Sequence, residues 1–378
     1  MLPALDASAS VYTVRLMPSG AEKMLADSAE MFRSANVEGE ILVNDSEEGV
    51  FAPTLKKCGY PVHVIPYNAA GLHLLKFWRL CRRNRYDAVH IHVIRGFAGF
   101  AIAARLAGVK YVVKTFHSVF EPVGVLRAYR QRVARQIAKM SGVRFVSISK
   151  SVQRNETERF GNRTELVWNW ADDARFVLAE AGGGAAVRQE LEIPRNSFVL
   201  LSVGNCHSEG HMAIKNHALV IKAIAMLPNE VKDRIVYLHV GAEMPGFPER
   251  KLAESLDVLQ YVRFLGSRND VWRLLCAANE FVMTSRHEGI PISGIEAALA
   301  GRHMILTRVP GLVDYADVLP DVAYVDAADP SVLAKSIEER FHLRGVESGN
   351  EAIRTAAMNV FSMKVGVFAL TKLYRGVV

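Results

Sequence analysis

The sequence predicts an α/β protein built as two doubly wound halves, and three observations carry that expectation. Short β-rich runs alternate with longer helical patterns along the whole chain, the signature of strand-helix-strand units in a parallel sheet. Runs such as YVVKTF (from Tyr111) and RFVSIS (from Arg144) are nearly continuous in apolar or β-branched residues, as strands covered on both faces are. The alternation breaks at LAEAGGGAAV, residues 178–187, and then restarts. At 378 residues the chain is too long for one average domain and comfortable for two.

In chain order, strands are expected over residues 11–17, 40–44, 61–65, 88–93, 111–115, 145–149 and 165–168. Helical patterns fill the gaps at 21–35, 71–85, 96–107 and 126–140. After the glycine run, strands follow at 198–203, 235–240, 262–265, 280–284, 303–307 and 323–325, again separated by helices, and the segment from Phe361 through Tyr374 has a helical pattern. The expected domains are 1–177, a glycine-rich linker and lead-in helix over 178–195, a second domain over 196–360, and a terminal helix over 361–378 that packs back on the first domain. Ligands of such sheets bind outside the carboxyl ends of the strands, so chemistry is sought in the residues that follow each strand. With two such domains facing each other, the cleft between them is the default site.

Hydrophobic residues make up 50% of the chain and charged residues 22%, ordinary soluble usage that supports a large core. Cys58, Cys81, Cys206 and Cys276 form no CxxC pair and no zinc-like spacing with histidine, and read as reduced cytosolic thiols. The N-terminus has no basic leader and carries Asp6, so no secretory signal is expected. No apolar run approaches the roughly 18–20 residues that cross a bilayer. Residues 1–177 hold 25 Lys and Arg against 16 Asp and Glu, so the whole net charge of +7 belongs to the first half, where an anionic partner would be attracted.

The stretch SRHEGIPISGIEAALAG, residues 285–301, sets Glu288 and Glu296 eight positions apart in an otherwise small or apolar run. It follows an expected strand, so Glu288 lies in a loop at the carboxyl edge of a sheet. Pro291 suits the first turn of a helix, where its missing N–H is not needed. Glu296 then sits beside the stripe of Ile292, Ile295 and Leu299, partly shielded. Carboxylates have only acceptor lone pairs, and the diols of sugars and riboses are their complement. The helix start beside Glu288 suits an anion such as phosphate. Lys215 ends the loop that follows the strand at 198–203, on the same edge of the same half, where an ammonium pairs with a pyrophosphate. Each of these residues alone reads better as an ordinary solvated side chain; their convergence on one edge gives them weight.

These residues, with further segments, resemble the family-4 glycosyltransferases of the GT-B fold. The resemblance runs through PSGAEKML (from Pro18), DAVHIHV (from Asp87), VKTFHS (from Val113), VSISKS (from Val146), ELVWNWADDARF (from Glu165), VGN (from Val203), KNHALVIKAIAML (from Lys215) and VRFLGSRNDVWRLLCAANEFVMTSRHEGIPISGIEAALAG (from Val262). It implies two Rossmann-like domains facing across a cleft, with the donor in the C-terminal half and the acceptor in the N-terminal half. It implies that Glu288 contacts donor-sugar hydroxyls, that the backbone of Gly289, Ile290, Pro291 and Ile292 lies against sugar and phosphates, and that Glu296 accepts from the ribose diol. Lys215 would bind the diphosphate, Gly204 would line the same turn, Gly20 would let backbone approach phosphate or acceptor, and His117 would lie near the anomeric carbon. One position departs from the family pattern: Asn205 stands where many relatives have a diphosphate-binding arginine, leaving His207, His211 or the Asn205 amide as substitutes.

The resemblance further implies transfer with retention, the leaving phosphate helping to deprotonate the acceptor. No Asp-x-Asp motif occurs, so no metal is expected, with Lys215 and the helix start stabilising the leaving group instead. The expected donor is a nucleoside-diphosphate sugar, UDP favoured over GDP, with no separate cofactor, and the expected acceptor is a glycan or lipid-linked hydroxyl in cell-surface polysaccharide synthesis. A nucleotide-sugar epimerase and a non-catalytic sugar-nucleotide-binding protein are the alternatives. The segments LHLLKFWRLCRRNRY (from Leu72) and VLRAYRQRVARQIAKM (from Val125) combine apolar residues with many Lys and Arg. They read either as a surface docking on anionic lipid or as packing helices with basic outer faces. The expected location is cytoplasmic, peripheral on the inner face of the membrane; no nucleic-acid partner is expected.

Overall fold

A computed structural model of the chain describes residues 8–14, 16, 19–120, 124–179, 183–206, 214–326, 329–344 and 350–377. Met17, Pro18, His207, His211 and residues 180–182 of the expected linker lie outside the described residues. The chain divides into two compact units, Met1–Asp172 with Met363–Val378, and Asp173–Ser362.

The sheet of the first unit contains β1 (Ser8–Val14), β2 (Val37–Val43), β3 (Val62–Val64), β4 (Ala88–Ile91), β5 (Tyr111–Phe116), β6 (Arg144–Ser147) and β7 (Glu165–Leu166), in the order β3-β2-β1-β4-β5-β6-β7. That of the second contains β8 (Phe198–Val203), β9 (Ile235–Val240), β10 (Val262–Phe264), β11 (Glu280–Met283), β12 (His303–Thr307) and β13 (Val322–Val325), in the order β10-β9-β8-β11-β12-β13. Every pairing is parallel. Every residue of β9, β11 and β12 is buried, which requires cover on both faces and explains their continuous apolar sequence. In the second unit Phe198, Tyr237, Val282 and Ile305 pack with Leu219 and Ile224 of the helix His217–Met226 and with Ile337 and Phe341 of the helix Pro330–Arg344.

Three segments differ from the sequence expectation. The first strand occupies 8–14 rather than 11–17, because it pairs in register with all seven residues of β2. The helix expected over 21–35 is two, Gly20–Asp27 and Ala29–Ser34, broken at Ser28. The Ser28 hydroxyl donates to the Met24 carbonyl at 2.7 Å and accepts from the Trp170 indole N–H at 2.7 Å, so it is drawn off the helical pattern. Within the expected linker and lead-in helix of 178–195, the helix is Gly183–Glu190 and takes in Gly183 and Gly184 of the run read as linker. Gly184 there is a packing residue, since a Cβ on it would stand 2.4 Å from the Cys276 carbonyl oxygen. Arg188 of that helix donates to the carbonyls of Ala277 and Ser197 and to Asn279 Oδ1 at 2.7–3.0 Å.

The final helix, Met363–Tyr374, follows an extended Ser362 and belongs to the first unit. Gly366 permits it, because a Cβ there would sit 2.0 Å from the Trp170 ring. In the helix Val125–Met140, Arg135 stands apart from the basic outer face: it is 3% exposed and forms a bidentate pair with the fully buried Glu156 at 2.6 and 2.7 Å. Among the described residues no helix is long and apolar enough to cross a membrane.

Candidate active site

Each sheet reverses its strand order once, between β1 and β4 in the first unit and between β8 and β11 in the second. At such a reversal the loops leaving the two central strands diverge and open a crevice at their carboxyl ends. In the second unit those loops carry Lys215 and Glu288. Lys215 Nζ donates to Glu288 Oε1 at 2.7 Å, with the side chains 27% and 13% exposed, so the pair is half-shielded and still reachable.

Both loops are fixed by neighbours. The methylene stem of Lys215 lies on Gly204, where a Cβ would come within 3.2 Å of Cγ and Cδ. The buried Thr284 hydroxyl donates to the Asn216 carbonyl at 2.9 Å, and the Arg286 N–H to the Ile214 carbonyl at 2.8 Å, clamping the end of the lysine loop to the end of β11. On the other side Gly311 has φ +82°, and a Cβ there would stand 2.4 Å from the Gly289 oxygen and 2.7 Å from that of Glu288. Tyr315, fully buried, donates to the Pro291 carbonyl at 2.8 Å and fills the space a Cβ on Gly294 would need. Burial first, then the Glu288 charge, with Tyr324, Asp314 and Glu296 adding, holds the Tyr315 hydroxyl well above the ordinary tyrosine range, so it stays a donor.

Pro291 stands at the N-cap of the helix Ile292–Leu299 and its carbonyl accepts from the Gly294 and Ile295 N–H groups at 3.2 Å, so in the first turn the N–H groups of Ile292 and Ser293 precede any intrahelical acceptor. Gly289, Ile290, Pro291 and Ile292 are buried beneath this turn, and Glu296 is half-buried one turn further on. The crevice therefore holds a cation, a carboxylate, a helix start and a second carboxylate in sequence, complementary to a ligand with both phosphate and hydroxyls.

Asn205 takes a structural part here. Its Oδ1 accepts from the Ala242 N–H at 2.8 Å, tying the β8 loop to the β9 loop, so only its amide NH2 remains to donate. Gly241 allows that approach, because a Cβ on it would lie 2.2 Å from the Gly204 oxygen. Beneath the loop, Cys206, His217 and His239 are buried with potential ligand atoms within 4.8 Å of one another, a grouping that their separation in sequence conceals. Burial pushes the Cys206 thiol up to about 12 and His217 well below the usual imidazole range, and His217 Nε2 lies 3.1 Å from the Gly204 carbonyl.

The reversal in the first unit carries histidines instead. A cavity of about 910 Å³ is lined by Ser19, Glu22, Asp45, Tyr67, His92, Arg95, His117, Phe120 and Arg127, among others. Gly20 opens the helix Gly20–Asp27 between two lining residues, Ser19 and Ala21, without lining the cavity itself. His117 Nε2 is 2.9 Å from His92 Nδ1 with the rings stacked, and the His92 ring lies 4.0 Å from that of His90. His90 is fixed by the Thr115 hydroxyl at 2.7 Å and the Tyr374 hydroxyl at 2.6 Å. Burial lowers all three, and the neighbouring Lys114 ammonium adds to it; His117 is held down to about 3 and is therefore neutral. Lys114 is itself fully buried, donates to the Thr115 and His92 carbonyls, and is lowered to about 7 by burial and then by Arg135.

Sequence reasoning picked out Lys215, Glu288, Glu296 and the segment between the glutamates, and the fold gathers them on one edge of one unit. It missed Thr284, Gly311, Tyr315 and Lys114. Of these only Gly311 left a local signal, as a Pro-Gly turn after β12.

Two family models match in order: a glycosyl transferase 4-like domain over residues 19–170 and glycosyl transferases group 1 over residues 185–357. The chain is 26% identical over 320 residues to the UDP-Gal:alpha-D-GlcNAc-diphosphoundecaprenol alpha-1,3-galactosyltransferase of Escherichia coli, covering 79% of each chain. It is 28% identical over 195 residues to the lipopolysaccharide core biosynthesis glycosyltransferase LpsE of Rhizobium meliloti, covering 49% of this chain and 54% of that one. The crystal structure of Anabaena HepE in complex with UDP superposes with a TM-score of 0.80 at 18% identity, covering 97% of this chain and 100% of that one. With both halves matched in order on a shared fold, the chain belongs to the family-4 glycosyltransferases and has the GT-B fold.

Proposed function

We propose that the chain moves a sugar from a nucleoside-diphosphate sugar, UDP in preference to GDP, to a hydroxyl of a glycan or lipid-linked acceptor in cell-surface polysaccharide synthesis. The observation that carries this reading is the Lys215–Glu288 pair at the strand-order reversal, beside the start of the helix Ile292–Leu299. In this reading the donor diphosphate takes Lys215 from Glu288, which turns to the sugar hydroxyls. The first-turn N–H groups receive phosphate oxygens, and Glu296 accepts from the ribose diol. Lys215 and the helix start stabilise charge on the leaving phosphate, and charge-assisted contacts of that kind contribute about 1.5–3 kcal/mol each. No metal is assigned a part. Neutral His117 stands at the acceptor side, and transfer proceeds with retention. The Escherichia coli relative, a galactosyltransferase acting from UDP-Gal on GlcNAc-diphosphoundecaprenol, and the UDP complex of Anabaena HepE support a UDP-sugar donor and a lipid-linked acceptor.

The basic helices Leu72–Asn84 and Val125–Met140 fit a peripheral position on an anionic cytoplasmic membrane surface. The second carries Val125 and Met140, 88% and 87% exposed, with Leu126 and Tyr129 also exposed near Arg127, Arg130 and Arg132.

A thermal-shift panel of nucleoside diphosphates and their sugars tests the donor assignment, since binding to the native state raises the midpoint. UDP and one UDP-sugar are expected to raise it. No shift with any nucleotide would sink the reading, and an altered sugar nucleotide formed without acceptor would make the protein an epimerase.

A further inference from the structure

The buried group beneath the loop of Asn205 and Lys215 has no part in the transfer chemistry. Cys206 follows β8, His217 opens the helix His217–Met226 and His239 lies in β9, and one ligand atom from each falls within 4.8 Å of the other two. Cys206 Sγ stands 3.5 Å from His239 Nε2, and the two imidazole rings meet edge to face with centroids 4.4 Å apart. In a tetrahedral zinc site sulfur lies about 2.3 Å and nitrogen about 2.0–2.1 Å from the metal, which sets those two ligands about 3.5 Å apart. Cys206 and His239 already have the separation of two ligands on one ion.

Two further features fit a cation better than a hydrogen-bonded core cluster. The Glu249 carboxylate, 7% exposed on the helix Pro248–Ser255, bears on the Cys206 thiol through its charge. Among the described residues no ion pair neutralises it, and buried charges are otherwise paired or engaged with metals. His239 Nδ1 is buried with no hydrogen-bond partner among the described residues, so hydrogen bonding leaves that ring half satisfied. The Tyr237 hydroxyl, 3.5 Å from His217 Nδ1, stands behind the second ring as the kind of outer partner that orients a ligating imidazole.

We propose that Cys206, His217 and His239 bind one transition-metal ion of the zinc class beneath the Lys215 loop, with Glu249 beside it. A thiolate with two imidazoles selects zinc or cobalt over magnesium or calcium. The thiolate and the Glu249 carboxylate together balance a divalent charge. Binding breaks the thiol S–H bond, forms a sulfur–metal bond and releases the proton to solvent. The ion is structural: it ties the turn after β8 and the start of the helix His217–Met226 to β9, and takes no part in glycosyl transfer. The site stands on these residues alone and does not depend on the transferase reading.

The test uses the full chain, reduced and stripped of metal by a chelator, with zinc alone as the probe. Titration against a zinc-binding dye is expected to show a single tight site, and magnesium in large excess should not compete. Cobalt in place of zinc should give the visible bands of a tetrahedral ion and a near-ultraviolet thiolate-to-cobalt charge-transfer band. Cys206→Ala should lose that band and bind zinc at least about tenfold more weakly, since even residues behind a ligand contribute that much. His239→Gln should keep the band and lose affinity, and Cys58→Ser should change neither. Zinc should raise the thermal midpoint of wild type and leave that of Cys206→Ala in place. No zinc binding by wild type, displacement by magnesium, or a cobalt complex without the charge-transfer band would overturn the site, and these readings need no variant to fold. Equal zinc affinity in Cys206→Ala and wild type would overturn it as well. Failure of UDP to bind the zinc-loaded protein would sink the transferase reading and leave the metal site standing.

Discussion

The two units place different chemistry at the same point of the same topology. Where the strand order reverses in the second unit, a lysine and a glutamate stand 2.7 Å apart and partly open. Where it reverses in the first, a stack of three imidazoles is kept neutral by burial and by Lys114. A mobile charge pair can be reorganised by a diphosphate, because a ligand oxygen can replace the carboxylate on the ammonium. A neutral row of imidazoles fixed by Thr115 and Tyr374 holds its geometry and adds no charge of its own. One scaffold thus supplies a site suited to charge and a site suited to positioning, and the difference lies in a few loop residues after the central strands.

The sharpest way to break that comparison is to remove the charge on one side. Lys215→Ala should lower kcat by about 10²–10³, the size of losing one transition-state donor, while steady-state kinetics report an unchanged acceptor KM. Stability should divide in a complementary way. Glu156→Ala leaves the buried Arg135 guanidinium unpaired, and breaking such a pair destabilises by about 3–5 kcal/mol. Denaturant unfolding followed at the first unit should register that loss, and the midpoint of the second unit should hold. Next comes Gly311→Ala, which puts a Cβ against the Glu288 and Gly289 carbonyls at a positive φ; overpacking of this kind costs about 1–3 kcal/mol. It should weaken UDP binding with no change at the first-unit cavity.

A further effect is on pH. His90, His92 and His117 have folded-state values below that of a free imidazole. The unfolded chain therefore binds more protons below about pH 6.5, and stability is full above that pH and lost as it falls toward the folded value. The slope is at most about 1.4 kcal/mol per pH unit for each such group. Thermal melts between pH 7 and 5 should show the decline, and His117→Asn should make it shallower.

The architecture was legible because buried parallel strands are written as unbroken apolar runs, and YVVKTF and EFVMT each became a strand between two others. The site was legible where a polar residue interrupted such a pattern, as Glu288 and Glu296 do. What stayed hidden depends on contacts between distant segments. Tyr315 matters through a carbonyl 24 residues away in the chain, and Thr284 through one 68 away. Lys114 reads as part of an apolar strand, and only its burial reveals a lowered ammonium beside the histidines. The glycine run misled because glycine serves close approach as well as flexibility, and at Gly184 close approach is what the helix against Cys276 requires.

The central claim is that Lys215 holds the donor diphosphate without the arginine that Asn205 replaces, and calorimetric titration of UDP into wild type and Lys215→Ala tests it most directly. Wild type should bind and the variant should lose about tenfold or more, as removal of a charge-assisted phosphate contact implies. Equal UDP affinity in the two proteins would contradict the assignment of the second-unit crevice to the diphosphate.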